Sequence, residues 1–126
     1  MLDIPCVSSD QLASAIGQDK VVQKLMYKAS NIPTSNFVWF YDFEFIDNKE
    51  SILEEIKKLN YPVIVKPATL GSSVGIKVVK SEEEIVDAIN QAIEYDKKII
   101  VEEIIKNLKE VNISILGSQE NFELSV

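Results

Sequence analysis

The chain has 126 residues, about one domain's worth, and 46% of them are hydrophobic, enough to bury a core. Its formal net charge of −7 argues against nucleic acid, since a phosphate backbone is repelled where there is no basic patch. The absence of histidine excludes Ser-His-Asp hydrolysis, His-metal sites and His proton shuttles. No apolar run approaches the ~20 residues of a membrane span, and Met1–Pro5 carries neither the basic nor the apolar region of a signal peptide. Cys6 stands alone, so no intrachain disulfide can form, which fits a reducing cytoplasm.

In chain order, Ser9 to Ile16 reads as a short helix with Ser8 or Ser9 as its N-cap and Gly17 as its stop. Asp19 to Ala29 reads as a second helix: Asp19 can cap it, and Val22, Leu25, Met26 and Ala29 form one apolar stripe. Asn31-Ile32-Pro33 ends it. Phe37 to Tyr41 reads as a strand, and Asp47 to Leu59 as a helix with Ile52, Leu53, Ile56 and Leu59 on one face. Tyr61–Lys66 and Gly75–Val79 read as strands. Ser81 opens a further helix with a capping box, because Glu84 lies three residues on. Lys98–Glu103, Glu110–Leu116 and Phe122–Val126 read as strands, with turns at Asn107 and Gly117-Ser118. The chain opens on Leu2-Asp3-Ile4-Pro5, which reads as the tail of an element. It closes on a strand cut at its end, so missing sequence is expected on both sides.

The most informative stretch is Tyr61-Pro-Val-Ile-Val-Lys66-Pro-Ala-Thr-Leu-Gly71-Ser-Ser-Val-Gly75. It sets a lysine at the end of an apolar strand, before a loop rich in backbone N–H groups and hydroxyls. That is the chemistry of a phosphate cradle. A hairpin with a Gly-Ser turn is the plain alternative. The loop is not a Walker A motif, which needs G-x-x-x-x-G-K-[ST] opening a helix. Here Ile76-Lys77-Val78-Val79 continues as a strand, so the unit is strand, flap, strand.

Lys66-Pro67 followed by Gly71-Ser72-Ser73-Val74-Gly75 resembles the ATP-grasp domain of D-alanine–D-alanine ligases. Ile4–Ser9 with Leu12–Lys20 resembles the family's entry into the ATP-binding half, and Asn31-Ile32-Pro33-Thr34 its next turn. Val101–Ile105 and Lys109–Gly117 resemble its adenine hinge and ribose-binding strand. The resemblance implies an α+β fold: the ATP-grasp nucleotide-binding subdomain, an antiparallel or mixed sheet with helices on one face. Residues 1–18 would end the preceding domain. Residues 19–126 would form the first lobe and the start of the second.

The resemblance also implies function. Lys66 and Lys20 would contact nucleotide phosphates. Gly71, Ser72, Ser73 and Gly75 would close over the triphosphate, mostly through backbone amides. Backbone groups of Glu103 and Ile105 would bond the adenine, with Glu102 near its amino group and Ile64, Ile104 and Ile105 forming the slot. Glu110 would accept from the ribose hydroxyls, although Lys106–Lys109 is one residue longer than the usual spacing. The parent would join two D-alanines using ATP, through an acyl phosphate, for peptidoglycan and the cell wall. Its Mg²⁺ ligands and D-alanine contacts would lie outside this chain, which alone would be inactive. Ligases making D-Ala–D-Lac or D-Ala–D-Ser, and a non-catalytic nucleotide-binding fragment, are the alternatives. No nucleic acid or membrane partner is expected, and a homodimeric parent is left open.

Overall fold

A computed structural model describes residues 7–118 and 120–125. The expectations that touch residues 1–6 and Val126 lie outside them. Four strands form one sheet in the order β1-β4-β2-β3, with β1 Phe37–Tyr41, β2 Val63–Pro67, β3 Lys77–Val79 and β4 Lys98–Glu103. Every neighbouring pair is antiparallel. The register aligns Phe37 with Glu102 and Glu102 with Ile64, and it aligns Trp39 with Ile100 and Ile100 with Lys66. Because side chains alternate along a strand, each row puts its residues on one face.

The opposite face carries Phe40, Val63, Val65, Val79, Ile99 and Val101, all buried. It packs on Ile56 of α4 (Lys49–Lys57), on Ile85, Ala88, Ile89 and Ala92 of α5 (Ile85–Ile93), and on Phe45 of α3 (Asp42–Asp47). Each fully buried Val or Ile is worth about 1.5–3 kcal/mol relative to exposure, so this face holds the lobe together. Helices α1 (Gln11–Gln18) and α2 (Lys20–Ala29) come first in the chain. Val21 of α2 packs against the other sheet face with Ala68, Ile100 and Phe37. The helical layer is therefore α3–α5, and α2 crosses the face that carries the site.

Several elements differ from expectation. Asp10, not Ser8 or Ser9, caps α1 by accepting from Ala13 N at 2.7 Å. The helix runs through Gly17 to Gln18, because Asp19 next to it is the better stop: its carboxylate accepts from Val21 N at 2.9 Å and Val22 N at 3.1 Å and so starts α2. The helix expected from Asp47 to Leu59 is α4, Lys49–Lys57, and a helix the sequence did not announce, α3, precedes it. Asp42-Phe-Glu-Phe alternates like more strand, but Glu44 accepts from Tyr41 N at 2.8 Å and turns the chain. No capping box forms at Ser81. Glu84 instead accepts from Lys80 N at 3.2 Å, and Glu82–Glu84 is a 3₁₀ turn leading into α5.

The largest difference lies after β4. The strand expected from Glu110 to Leu116 is present only as β5, Ile115–Gly117, paired with β6, Phe122–Leu124. A strand needs a ladder partner, and residues 110–113 have none among the described residues, while Ser114 O accepts only the next rung, from Ser125 N at 2.9 Å. Residues 110–117 are all exposed. Among the described residues no helix is long and apolar enough to cross a membrane.

Candidate functional site

The site lies where α2 crosses the sheet. Asp19, besides capping α2, pairs with Lys98 of β4 at 2.6 Å. Burial of the Asp19 carboxyl works against ionisation, but the hydrogen bonds from Lys98 and from the first turn of α2 outweigh it and hold its pKa low. The start of α2 is thereby fixed to the sheet. Helical periodicity then sets Lys20 and Lys24 one turn apart on the same side.

Three lysines line the same cleft there, and two of them meet one carboxylate. Glu102, 8% exposed, accepts from Lys66 through Oε1 and from Lys24 through Oε2, the latter at 2.7 Å. Burial alone would push the Glu102 carboxyl up. The two ammoniums reverse this and hold it below its ordinary value. A buried carboxylate needs such partners, since an unpaired buried charge is far costlier than a paired one. Lys20 turns its ammonium to the carbonyls of Pro67 at 3.3 Å, Ala68 at 3.4 Å and Leu70. Burial lowers its pKa, and the nearby Lys66 charge adds to the shift.

The cluster lines a cleft of about 380 Å³ bounded by Lys20, Lys24, Lys66, Glu102, Tyr27 and Ile105, together with residues 32–35. A smaller recess of about 190 Å³ adjoins it and shares Ser35, Lys66, Glu102 and Ile105 with it. Ile64, Ile104, Ile105 and Leu108 give the recess apolar walls, with Glu102 and Glu103 at its edge. A flat apolar slot with a few polar groups beside a cationic cleft can hold a planar base and an attached anion.

The structure thus brings Lys20, Lys66, Glu102 and Ile105 to one cleft and Glu103 to the recess beside it. The Glu103 carboxylate is occupied by Asn60 N at 2.9 Å, Asn60 Nδ2 at 2.8 Å and Asn36 Nδ2 at 3.1 Å. Its own N–H goes to Asn36 O at 3.0 Å. Glu110 is exposed and lines neither space.

Gly71, Ser72 and Ser73 form an exposed turn that lines neither space, with Val74 N donating to Gly71 O at 3.2 Å. Ser72 and Ser73 have φ of +52° and +60°. Two successive left-handed serines are uncommon, because each costs about 1–2 kcal/mol. Such strain is found where the surroundings over-determine the chain, often at ligand clamps. Both ends of the turn are fixed. Thr69 donates to Asp96 Oδ2 through N and Oγ1, both at 2.8 Å, and Asp96 Oδ1 accepts from Lys98 N at 3.1 Å. At the other end Gly75, at φ +67°, sits so close to Pro67 and Tyr95 that a Cβ would lie 2.7 Å from Pro67 Cγ and 2.9 Å from Tyr95 Cδ2.

Sequence reasoning missed Lys24, Ser35, Asp96 and Lys98. A signal existed for Lys24, which stands four residues after Lys20 on the same expected helix and so on the same side of it. Among the described residues no group of three Asp, Glu or Cys side chains is placed to hold a metal ion.

Comparison with known proteins follows this geometry. A family model described as "D-ala D-ala ligase C-terminus" matches residues 26–126. The D-alanine–D-alanine ligase of Borrelia hermsii (strain HS1 / DAH) is 43% identical over 121 residues, 95% of this chain and 33% of that protein. That of Thermoanaerobacter sp. (strain X514) is 44% identical over 126 residues, 100% of this chain and 34% of its own length. Among solved structures, the D-alanine–D-alanine ligase of Helicobacter pylori superposes with a TM-score of 0.76 at 33% identity, covering 90% of this chain and 33% of that one. The VanG D-Ala:D-Ser ligase of Enterococcus faecalis gives 0.81 at 32% identity, with 96% and 34% covered.

The fold is that of an ATP-grasp protein: an antiparallel sheet with a helical layer and a flap between neighbouring strands. Within that class, the chain belongs to the D-alanine–D-alanine ligase family. It spans about a third of the length of the curated relatives it matches.

Proposed function

We propose that this chain is the base- and phosphate-holding wall of an ATP-dependent D-alanine–D-alanine ligase. The observation that carries the reading is the pairing of Lys24 and Lys66 with one buried carboxylate, Glu102, in a cleft that Lys20 also lines, beside a recess walled by Ile64, Ile104 and Ile105. Three ammoniums against one carboxylate leave the cleft net positive, which suits a polyanion. In this reading Lys66 faces phosphate, and Lys20 does so once its ammonium leaves the carbonyls of Pro67, Ala68 and Leu70. The Gly71–Gly75 turn covers the phosphate with backbone N–H groups, and Glu102, Glu103 and Ile105 receive the base. Glu110 reaches the ribose only if residues 104–114 fold back toward the recess.

The reaction transfers the terminal phosphoryl group of ATP to the carboxylate of one D-alanine. The amine of a second D-alanine then attacks the acyl carbon and expels phosphate. What this wall supplies is positioning and charge neutralisation, as in phosphoryl transfer generally. Mg²⁺, expected with ATP, is not matched by the donor set among the described residues, and no role in this chain is derived for it. The contacts to both amino acids fall to the remainder of a full-length enzyme of the relatives' size, in the cytoplasm.

The test is a titration of the chain with ATP, followed by backbone amide NMR. Shifts should centre on Lys20, Lys66, Glu102 and Ile105, with an affinity weaker than micromolar, since one wall buries less than the usual ~70–90% of a ligand. Lys66→Ala should weaken ATP about 10- to 100-fold, the loss of a hydrogen bond to a charged group worth about 1.5–3 kcal/mol. The chain with ATP, Mg²⁺ and D-alanine should release no phosphate and form no dipeptide. Dipeptide formation, or shifts confined to another surface, would overturn the reading.

A further inference from the structure

Lys24 and Lys66 both touch Glu102, and counting their donors separates them. An ammonium has three N–H bonds to give. Lys24 gives all three: to Thr34 Oγ1 at 2.9 Å, to Ser35 Oγ at 2.7 Å and to Glu102 Oε2 at 2.7 Å. Its Nζ also lies 5.3 Å from the centre of the Phe37 ring. Its side chain is 14% exposed and that of Glu102 is 11% exposed. Lys66, among the described residues, has one hydrogen-bond partner, Glu102 Oε1, and so keeps two donors open to the cleft. An arriving phosphate can therefore engage Lys66 without breaking anything. It can engage Lys24 only by dismantling a saturated shell.

The consequence falls on Glu102. With Lys66 reaching phosphate through its open donors, Oε1 keeps a second lone pair toward the recess, while Oε2 stays tied to Lys24 and, at 3.5 Å, to Ser35 Oγ. The carboxylate then remains ionised and held in one orientation, with a single acceptor oxygen exposed at the edge of an apolar slot. A fixed carboxylate accepts hydrogen bonds and gives none. It rewards a purine with an amino group at that edge and penalises one with a carbonyl there, because two acceptors would face each other in a site poor in water.

We infer that Lys24 is a positioning residue that sets base selectivity, fixing Glu102 so that the cleft favours a 6-amino over a 6-oxo purine nucleotide, and that it is not a phosphate ligand. This rests on reading the cleft as a nucleotide site. The test measures affinities of ATP, inosine triphosphate and inorganic tripolyphosphate by amide NMR for the wild-type chain and for Lys24→Met, Lys24→Arg and Lys66→Met, with thermal melts as the check on folding. The wild type should prefer ATP over inosine triphosphate by about tenfold or more, the scale of a hydrogen bond to a charged group. Lys24→Met should collapse that ratio while tripolyphosphate affinity falls only slightly. Lys24→Arg should recover part of the ratio, since a guanidinium can still tie Glu102. Lys66→Met should do the reverse, losing tripolyphosphate and keeping the ratio. A Lys24→Met chain that keeps the wild-type ratio, or that loses tripolyphosphate as severely as Lys66→Met, overturns the inference alone. A wild-type chain that binds no ATP overturns it together with the nucleotide reading.

Discussion

Strand β4 and the β5–β6 hairpin stand at opposite extremes of burial in one chain. Ile99, Ile100 and Val101 are fully buried, flanked in the sheet by β1 and β2 and covered on one face by α5 and on the other by α2. In the hairpin, Ile115 is 70% exposed, Leu116 71%, Phe122 56% and Leu124 53%. The side chains are of the same kind, so apolar character does not decide the outcome. Neighbours do. A central strand has ladder partners on both edges and a layer over each face, whereas an isolated two-stranded hairpin is marginal in water.

The sharpest way to break this comparison is hydrogen exchange. Amides of β4 should exchange only through global unfolding, with protection free energies of about 5–15 kcal/mol, while those of residues 115–124 should show almost none. Equal protection would mean that the hairpin packs as well as the core. Next in size is a pair of truncations. Ile99→Ala should cost about 2–5 kcal/mol through transfer and cavity terms. Leu116→Ala should stay within about 0.5 kcal/mol, as for an ordinary surface position. Denaturant melts read both, and a Leu116→Ala loss matching that of Ile99→Ala would erase the distinction.

A finer contrast sits inside the flap. Gly75→Ala forces a Cβ against Pro67 and Tyr95 in left-handed backbone and should cost about 1–3 kcal/mol. At Gly71 nothing lies within 4 Å of a Cβ, so Gly71→Ala should be close to neutral in the same melts. The smallest effect is with pH. The Glu102 carboxyl is held below its ordinary 4.5 in the folded chain. Its contribution to stability is therefore fully present above that value and is lost as pH falls through the folded value. Asp19 and Glu103 shift in the same direction, so the wild-type slope has several sources. The difference between wild type and Lys24→Met isolates Glu102: the acid slope should be shallower in the variant, and identical slopes would remove Lys24 as its charge partner.

Legibility from sequence followed the same divide. Phe37–Tyr41 and Lys98–Glu103 stand where their β-forming runs place them, because local pattern and tertiary partners agree there. The helix over Asp42–Asp47 was not legible, since the alternation there continues that of β1 and the return of Glu44 to Tyr41 N is what turns the chain. Residues 110–113 misled: the pattern is that of a strand, but pairing is a tertiary property that no window contains. The fold family was readable because Lys66, the flap and the hinge occur in order. The partners of those residues were not. That Glu102 is shared by Lys24 and Lys66, or that Asp96 holds Thr69, depends on register across the sheet and not on spacing along the chain.

Asp96 and Gly75 together turn the flap into a short arch on two pinned footings. One footing is Thr69, held by the Asp96 carboxylate, and the other is Gly75, wedged against Pro67 and Tyr95. Residues 70–74 lie between them, with Leu70 further tied through its carbonyl to Lys20. At ~3.3–3.6 Å per extended residue, the span has about 20 Å of contour, so its crown stays within about 10 Å of its base. An arch of that reach works as a gauge. It can tighten over an anion delivered to the cleft, but it cannot travel to find one, and whatever it closes upon must already be seated at the right depth.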